Sequence, residues 1–221
     1  MGIVEIFIRY KTGFITGLLV TLQLCLVIWG SGIVLGTVLG TAGARWSRAV
    51  GAPSRAISFV LSGIPVLVLL FWLHYPLQSM LNIVVNPFYT ASVALSLINI
   101  FAVADVIRTV LREFPEQYTI AARVCGLSSA QTIRHIQFPI IFRQVIPSLL
   151  SLQVSMLQMS LFASMISVDE IFRVAQRVNA LVYRPIQVYS SLAIFFLLVC
   201  LPLNGLAIWL RWQFTRNVSE Q

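Results

Sequence analysis

The chain runs long distances without a charge. No Asp, Glu, Lys or Arg lies between Lys11 and Arg45, Arg55 and Asp105, Arg143 and Asp169, or Arg184 and Arg211. A helix that crosses a bilayer needs about 20 predominantly apolar residues, so each interval has room for one span. The interval from Arg55 to Asp105 has room for two, joined by the turn-rich SMLNIVVNP around Asn82, Asn86 and Pro87. The expected fold is therefore all-α: an integral membrane protein of about five transmembrane helices, with residues 1–221 forming one transmembrane domain. Composition agrees, since 58% of the 221 residues are hydrophobic and 10% are charged, against about a quarter charged in soluble domains.

Five crossings put the two ends on opposite faces. Arg45, Arg48 and Arg55 flank the first connection; Arg112, Arg123, Arg134 and Arg143 surround the third; Arg211 and Arg216 follow the last span. Basic residues favour the cytoplasmic side, which places the N-terminus outside and the C-terminus in the cytoplasm. Arg173, Arg177 and Arg184 fall on the outer side and run against the trend, as do Arg9 and Lys11. The net charge of +8 is read as cytoplasmic loops and contact with anionic lipid, not as a nucleic-acid surface. The apolar run from Phe14 to Gly40 is far longer than the roughly 7–15 residues of a signal peptide core, so it is read as a resident helix. Within it Gly32, Gly36 and Gly40 recur every fourth residue, a pattern that lets helix backbones approach closely.

Soluble-enzyme chemistry is not signalled. Cys25, Cys125 and Cys200 are scattered without disulfide or metal spacing and are read as small apolar fillers. His74 and His135 lack acidic or cysteine neighbours at ligand spacing, so no metal site is expected. Lys11-Thr12 follows Tyr10 and not a glycine-rich loop, so energy is expected from a partner or from an ion gradient.

The oil is interrupted once by a polar segment, AARVCGLSSAQTIRHIQFP, residues 121–139. Glu116 to Cys125 can form a helix closed by Gly126 in the left-handed conformation, with Leu127 folding back on Ala122. Ser128 and Gln131 make a capping box for a second short helix with Ala130, Ile133 and Ile136 as its apolar stripe. Pro139 is expected to end that helix. An amphipathic loop lying on lipid headgroups is an equally good reading of the pattern alone.

The order Ala121-Ala122, Gly126, Ile136, Pro139 resembles the EAA motif of binding-protein-dependent ABC importer permeases, with Ile120 where the motif has glutamate. The resemblance covers most of the chain and points to the polar amino acid branch. Gly17 with Thr21-Leu22 is similar to that branch's first helix. Gly63 and Pro65 resemble its RGTP segment, with Ser62 and Ile64 at the arginine and threonine. Ser160-Leu161 and Val168-Asp169 resemble its TSL…VEEL stretch, with Leu157 and Met159 replacing the preceding lysine and the threonine.

The resemblance implies the type I importer permease fold, a transport subunit and not an enzyme, and residence in the bacterial inner membrane. It implies residues 116–139 as a cytoplasmic coupling segment, with Ala121, Ala122, Gly126, Leu127, Ile136 and Pro139 seated on an ATP-binding subunit. Partners would be two such ATPases, a second permease chain (identical or related) and an extracytoplasmic solute-binding protein. No cofactor is implied in this chain; ATP and magnesium would belong to the ATPase.

Several polar groups remain. Asp105 and Arg108 share a helix face and are either a functional intramembrane pair or a mutual ion pair. Asn99, Gln153, Gln158 and Ser160, with Ser155, either line a polar path or bond helices together. Leucine at Gln153 or Gln158 is expected to lower uptake without disturbing assembly. Asp169 and Glu170 either meet a cationic solute or a docking protein, or are solvated charges. The competing class is a secondary carrier driven by protons or sodium, with Asp105, Asp169 or Glu170 titrating. A third is a membrane protein that moves nothing.

Overall fold

A computed structural model describes residues 3–216 of the chain. Among the described residues all regular structure is helical. After a short helix α1 (Ile3–Arg9), α2 (Lys11–Arg45) runs the length of the bundle. A π-helical turn (Ser47–Gly51) leads into α3 (Ala52–Gly63), α4 (Val66–His74) and α5 (Pro76–Leu81). Then come the long α6 (Pro87–Arg112), α7 (Glu116–Val124) and α8 (Ser129–Thr132). A second π-helical turn (Ile133–Gln137) joins α8 to α9 (Phe138–Met159), which tightens into a 3-10 segment (Ser160–Ile166). The chain closes with α10 (Ile171–Val182) and α11 (Pro185–Arg216).

Four stretches are long and apolar enough to cross a membrane: Lys11–Arg45, Pro87–Arg112, Ser129–Ile166 and Pro185–Phe214. A fifth crossing is available if the pair Ser47–Gly63 and Val66–Leu81, bent by 95°, counts as one broken span. With that pair taken as one crossing the count is the expected five, and one of the five is not straight. Its break has a local cause. A residue before proline is driven out of the helical region, and Ile64 ahead of Pro65 is extended at φ −95°, ψ 122°. The SMLNIVVNP turn closes as its residues require. Asn82 adopts the left-handed region at φ 52°, and the Asn86 side chain accepts from Phe88 N at 2.9 Å to cap α6.

Burial concentrates where α2 crosses α6. A Cβ on Gly36 would stand 2.6 Å from Val103 Cβ and 2.7 Å from the Ile100 carbonyl. One on Gly40 would stand 2.7 Å from the Ala104 carbonyl. Without side chains at these positions the two backbones close on each other and gain dispersion contacts that lipid cannot match. The glycine repeat therefore packs within the chain. Leu24, Ile28, Leu70, Ala91, Leu95, Met156 and Ile166 fill the core beside this seam.

Two expectations are corrected. Pro139 does not end a helix. It lacks an N–H and its ring crowds the carbonyl four residues back, but the preceding turn is already widened, with Phe138 N–H bonding Ile133 O. The loosened turn absorbs the proline, and helix continues from Ser129 to Ile166. Cys125 is not a packed filler: it is exposed, whereas Cys25 and Cys200 are buried.

Candidate functional site

The segment from Glu116 to Pro139 stands at one end of the bundle. α7 ends in a paired closure: Gly126 N–H bonds Arg123 O and Leu127 N–H bonds Ala122 O, each at 3.0 Å. Gly126 at φ 75° is the left-handed residue this closure needs. Ser128 then caps α8 reciprocally, accepting from Gln131 N at 3.3 Å while Gln131 Oε1 accepts from Ser128 N at 2.8 Å. Gln137 Nε2 reaches Thr119 Oγ1 at 3.4 Å and ties the two arms of the knob together. Ala122 is buried, Leu127, Ile136 and Pro139 are half-buried, and Ala121 and Gly126 are exposed. Around them Ile120, Val124 and Ile133 also stand in the open, Val124 at 83% exposure. The result is a knob capped at its turn, with apolar side chains exposed on its surface.

Close to the knob, α6 is stitched to the first limb of the broken span. Asp105 pairs with Arg108 on its own helix and accepts from Ser58. Arg108, 5% exposed, donates to Ser54 Oγ at 3.4 Å, and Arg112 donates to Ser47. Of the two readings of Asp105 and Arg108, the mutual ion pair is the one formed. Its chemistry is a clamp between helices.

Asn99 and Gln153 meet in the core. Asn99 Nδ2 donates to Gln153 Oε1 at 3.0 Å and to the Ile28 carbonyl at 2.8 Å, and Gln153 Nε2 returns to Asn99 Oδ1 at 3.4 Å. One amide pair thus joins α2, α6 and α9. The space comes from Gly32, whose Cβ would lie 2.1 Å from Asn99 Nδ2. Ser160 is buried too, donating to Leu157 O at 2.7 Å and lying 3.9 Å from Cys25 Sγ. All three are buried: Asn99 and Gln153 bond helices together, and Ser160 bonds its own helical segment while Cys25 of α2 approaches it. Gln158 alone of the four is exposed. Asn99→Leu should orphan Gln153 and lower stability by about 0.5–2 kcal/mol, read as a lower melting temperature in detergent. Gln158→Leu should leave that temperature unchanged.

At the opposite end, Asp169 and Glu170 separate. Asp169 is exposed, pairs with Arg177 at 2.8 Å, and borders a cleft of about 470 Å³ shared with Gln23, Asn86, Tyr89 and Ser167. Glu170 is 0% exposed. Its carboxylate caps α10, accepting from Phe172 N and Arg173 N at 2.9 Å each. Thr21 Oγ1 accepts from the neighbouring Ile171 N at 3.1 Å, and Gly17 gives α10 room against α2. The reading of Glu170 as a solvated or solute-facing charge is corrected: it is a buried helix cap. Sequence reasoning missed α10 itself, although Ile171, Val174, Ala175 and Val178 have helical spacing and are buried.

Burial, the larger cause, pushes the Glu170 carboxyl up to about 7 against the lowering effect of its two backbone bonds. A carboxyl raised in the folded state binds more protons there than when unfolded. Stability should therefore fall as pH rises from about 4.5 towards 7, on the order of 3 kcal/mol in all. Glu170→Gln should flatten that slope in thermal melts.

His74 is a packed histidine at the end of α4, with Nδ1 3.3 Å from Thr90 Oγ1 and 3.1 Å from Gln78 Nε2.

Residues 32–215 match the family described as binding-protein-dependent transport system inner membrane component. The chain belongs to this family. This permease is 31% identical over 210 residues to the L-cystine transport system permease protein of Bacillus subtilis, covering 92% of this chain and 87% of that one. It is 28% identical over 200 residues to an octopine transport system permease protein of Rhizobium radiobacter, with 84% and 82% covered. It is 26% identical over 192 residues to the glutamine transport system permease protein of Escherichia coli (strain K12), with 86% and 87% covered. Among solved structures, an amino acid ABC transporter crystallised with histidines has the same fold, at TM-score 0.82 and 22% identity over 93% of this chain and 96% of that one. A methionine ABC transporter in inward facing conformations follows at TM-score 0.68 and 17% identity, with 91% and 98% covered. The permease is thus a transport subunit of an ABC importer of the inner membrane, with ATP hydrolysis belonging to a partner subunit. The carrier and inert-protein readings give way to it.

Proposed function

We propose that this permease moves a polar amino acid or a similar small solute inward by alternating access. The single observation that carries the mechanism is the knob. Its caps fix its shape locally, yet Ile120, Val124 and Ile133 stand uncovered on its surface. Apolar side chains on such a knob favour a protein socket over headgroups, because a socket removes them fully from water. Residues 116–139 are the coupling segment, and Ala121, Ala122, Gly126, Leu127, Ile136 and Pro139 are its seat on an ATP-binding subunit.

Orientation follows. With the bent pair taken as one crossing, the N-terminus is outside, and the knob, the first arginine cluster and the C-terminus are cytoplasmic. ATP and magnesium bind in the partner, and a solute-binding protein delivers substrate to the outer end, where the cleft beside Asp169 opens. The amino acid class is supported by relatives that align along most of the chain and are permeases of octopine, glutamine and L-cystine transport systems. The test is ATP hydrolysis by the assembled transporter, with its solute-binding protein, across a panel of amino acids. Stimulation by at least one polar amino acid is expected. Stimulation only by sugars or metal ions would refute the class.

A further inference from the structure

One side of α11 is an aliphatic stripe. At about 100° per residue, positions 186, 194, 197, 201 and 208 fall in a sector roughly 80° wide. Those positions are Ile186, Ile194, Leu197, Leu201 and Ile208, each more than half exposed. Another side of the helix packs into the bundle through Val188, Leu192 and Cys200. An uncovered stripe of this kind suits hydrocarbon.

At the end of the bundle away from the knob the stripe runs out into a mixed surface. Leu181 and Tyr183 at the close of α10 are 70% and 86% exposed, and Ile186 at the start of α11 is 77% exposed. Arg184 stands exposed between them, and its side chain has no ion pair or hydrogen bond among the described residues. Tyr183 adds a second observation. It holds the left-handed region at φ 50°, where a bulky residue is strained, and its exposed ring gains little from the rest of the chain. Aromatic rings gather where headgroups meet hydrocarbon. An arginine there lays its stem among the acyl chains and keeps its guanidinium at the phosphates.

Three occupants could meet this band. A second copy of the chain would bring the same arginine and little to pair with it, because the carboxylates at this end are engaged. Asp169 pairs with Arg177, Glu170 caps α10, and Glu5 has an interaction of its own. A water-soluble protein would cover Arg184 but not the stripe that runs on from Ile186. A phospholipid fits both, with acyl chains along the stripe and phosphate on the guanidinium, and a net negative headgroup strengthens the second contact.

We infer that Tyr183, Arg184 and Ile186 form a binding site for an anionic phospholipid. The site goes beyond the transport reading above and holds whichever compartment this end of the bundle faces.

The test places the photoreactive p-benzoylphenylalanine at Tyr183, Ile186 or Leu197 in the assembled transporter with its solute-binding protein. The vesicles are phosphatidylethanolamine with a minor share of phosphatidylglycerol, and mass spectrometry identifies what each position captures on illumination. Positions 183 and 186 should capture phospholipid, with phosphatidylglycerol over-represented roughly threefold or more relative to its share in the vesicle. Position 197, deeper on the same stripe, should capture the two lipids in bulk proportion. Arg184→Gln should bring capture at 183 and 186 to bulk proportion while lipid adducts persist, and Arg184→Lys should keep the excess. Position 186 carries the reading if the replacement at 183 fails to accumulate. Capture of the second permease chain or of the solute-binding protein in place of lipid would overturn the site. So would bulk proportions at both positions, or an excess that Arg184→Gln leaves unchanged. A transporter that moved no amino acid would overturn the transport reading and leave the lipid site standing.

Discussion

Gly36→Leu should keep the permease from accumulating in the membrane. The cause is where the first added carbon lands. Cβ at residue 36 would overlap Val103 Cβ at 2.6 Å and the Ile100 carbonyl at 2.7 Å. A carbonyl inside α6 is held by its own helix and cannot turn aside, so α2 and α6 must separate along the seam that organises the core. Overpacking commonly costs about 1–3 kcal/mol, and Gly36→Ala should already do so. Leucine adds three more carbons at the same place. Gly30 supplies the contrast, since its Cβ would meet nothing within 4 Å. Gly30→Ala should be stabilising by up to about 1 kcal/mol through helix propensity. Membrane abundance by immunoblot and melting temperature of the purified chain read both; Gly36→Leu at wild-type abundance would refute the seam.

The second large effect belongs to Gly126. Here a side chain meets no obstacle, so the cost is purely conformational. A non-glycine residue held left-handed costs roughly 1–2 kcal/mol, more for a β-branched one, and asparagine tolerates the region best. A cost of that size corresponds to a 5- to 30-fold loss of the competent population, as an order-of-magnitude estimate. Gly126→Val should therefore cut co-purification of the ATPase subunit and ATP-driven uptake about tenfold, while Gly126→Asn keeps most of both. The chain should still reach the membrane, because the strain lies outside the core. Equal behaviour of Val and Asn variants would mean the closure of α7 does not set the shape of the peg.

These two glycines show what the sequence makes legible. Gly32, Gly36 and Gly40 announce a close helix contact by spacing alone, and Gly126 followed by Ser128 and Gln131 announces a helix end and a helix start. Charge-free intervals give the spans because charge in hydrocarbon is costly whatever the tertiary fold. Signals that depend on a neighbour are harder. Pro139 has the form of a helix stop, but the widened turn before it removes the conflict. Asn99 and Gln153 read as path-lining or as helix-bonding groups from the sequence, and only the space left by Gly32 shows that they bond one another. Glu170 has the form of a surface charge beside Asp169, and only the docking of α10 on Gly17 and Thr21 buries it. The knob and the Asp105–Arg108 pair were legible from local chemistry; the serines that complete the clamp, Ser47, Ser54 and Ser58, were not, because they lie far from α6 in the chain.

The central claim, that the segment around Gly126 is a cytoplasmic seat for the ATPase, can be read from a natural thiol. Cys125 is exposed beside Gly126, and Cys25 and Cys200 are buried. A membrane-impermeant maleimide should label Cys125 in inverted vesicles holding the permease alone, spare it in right-side-out vesicles, and fail to reach it once the ATPase subunits are bound. Labelling from the outer face, or equal labelling with and without bound ATPase, would contradict the account.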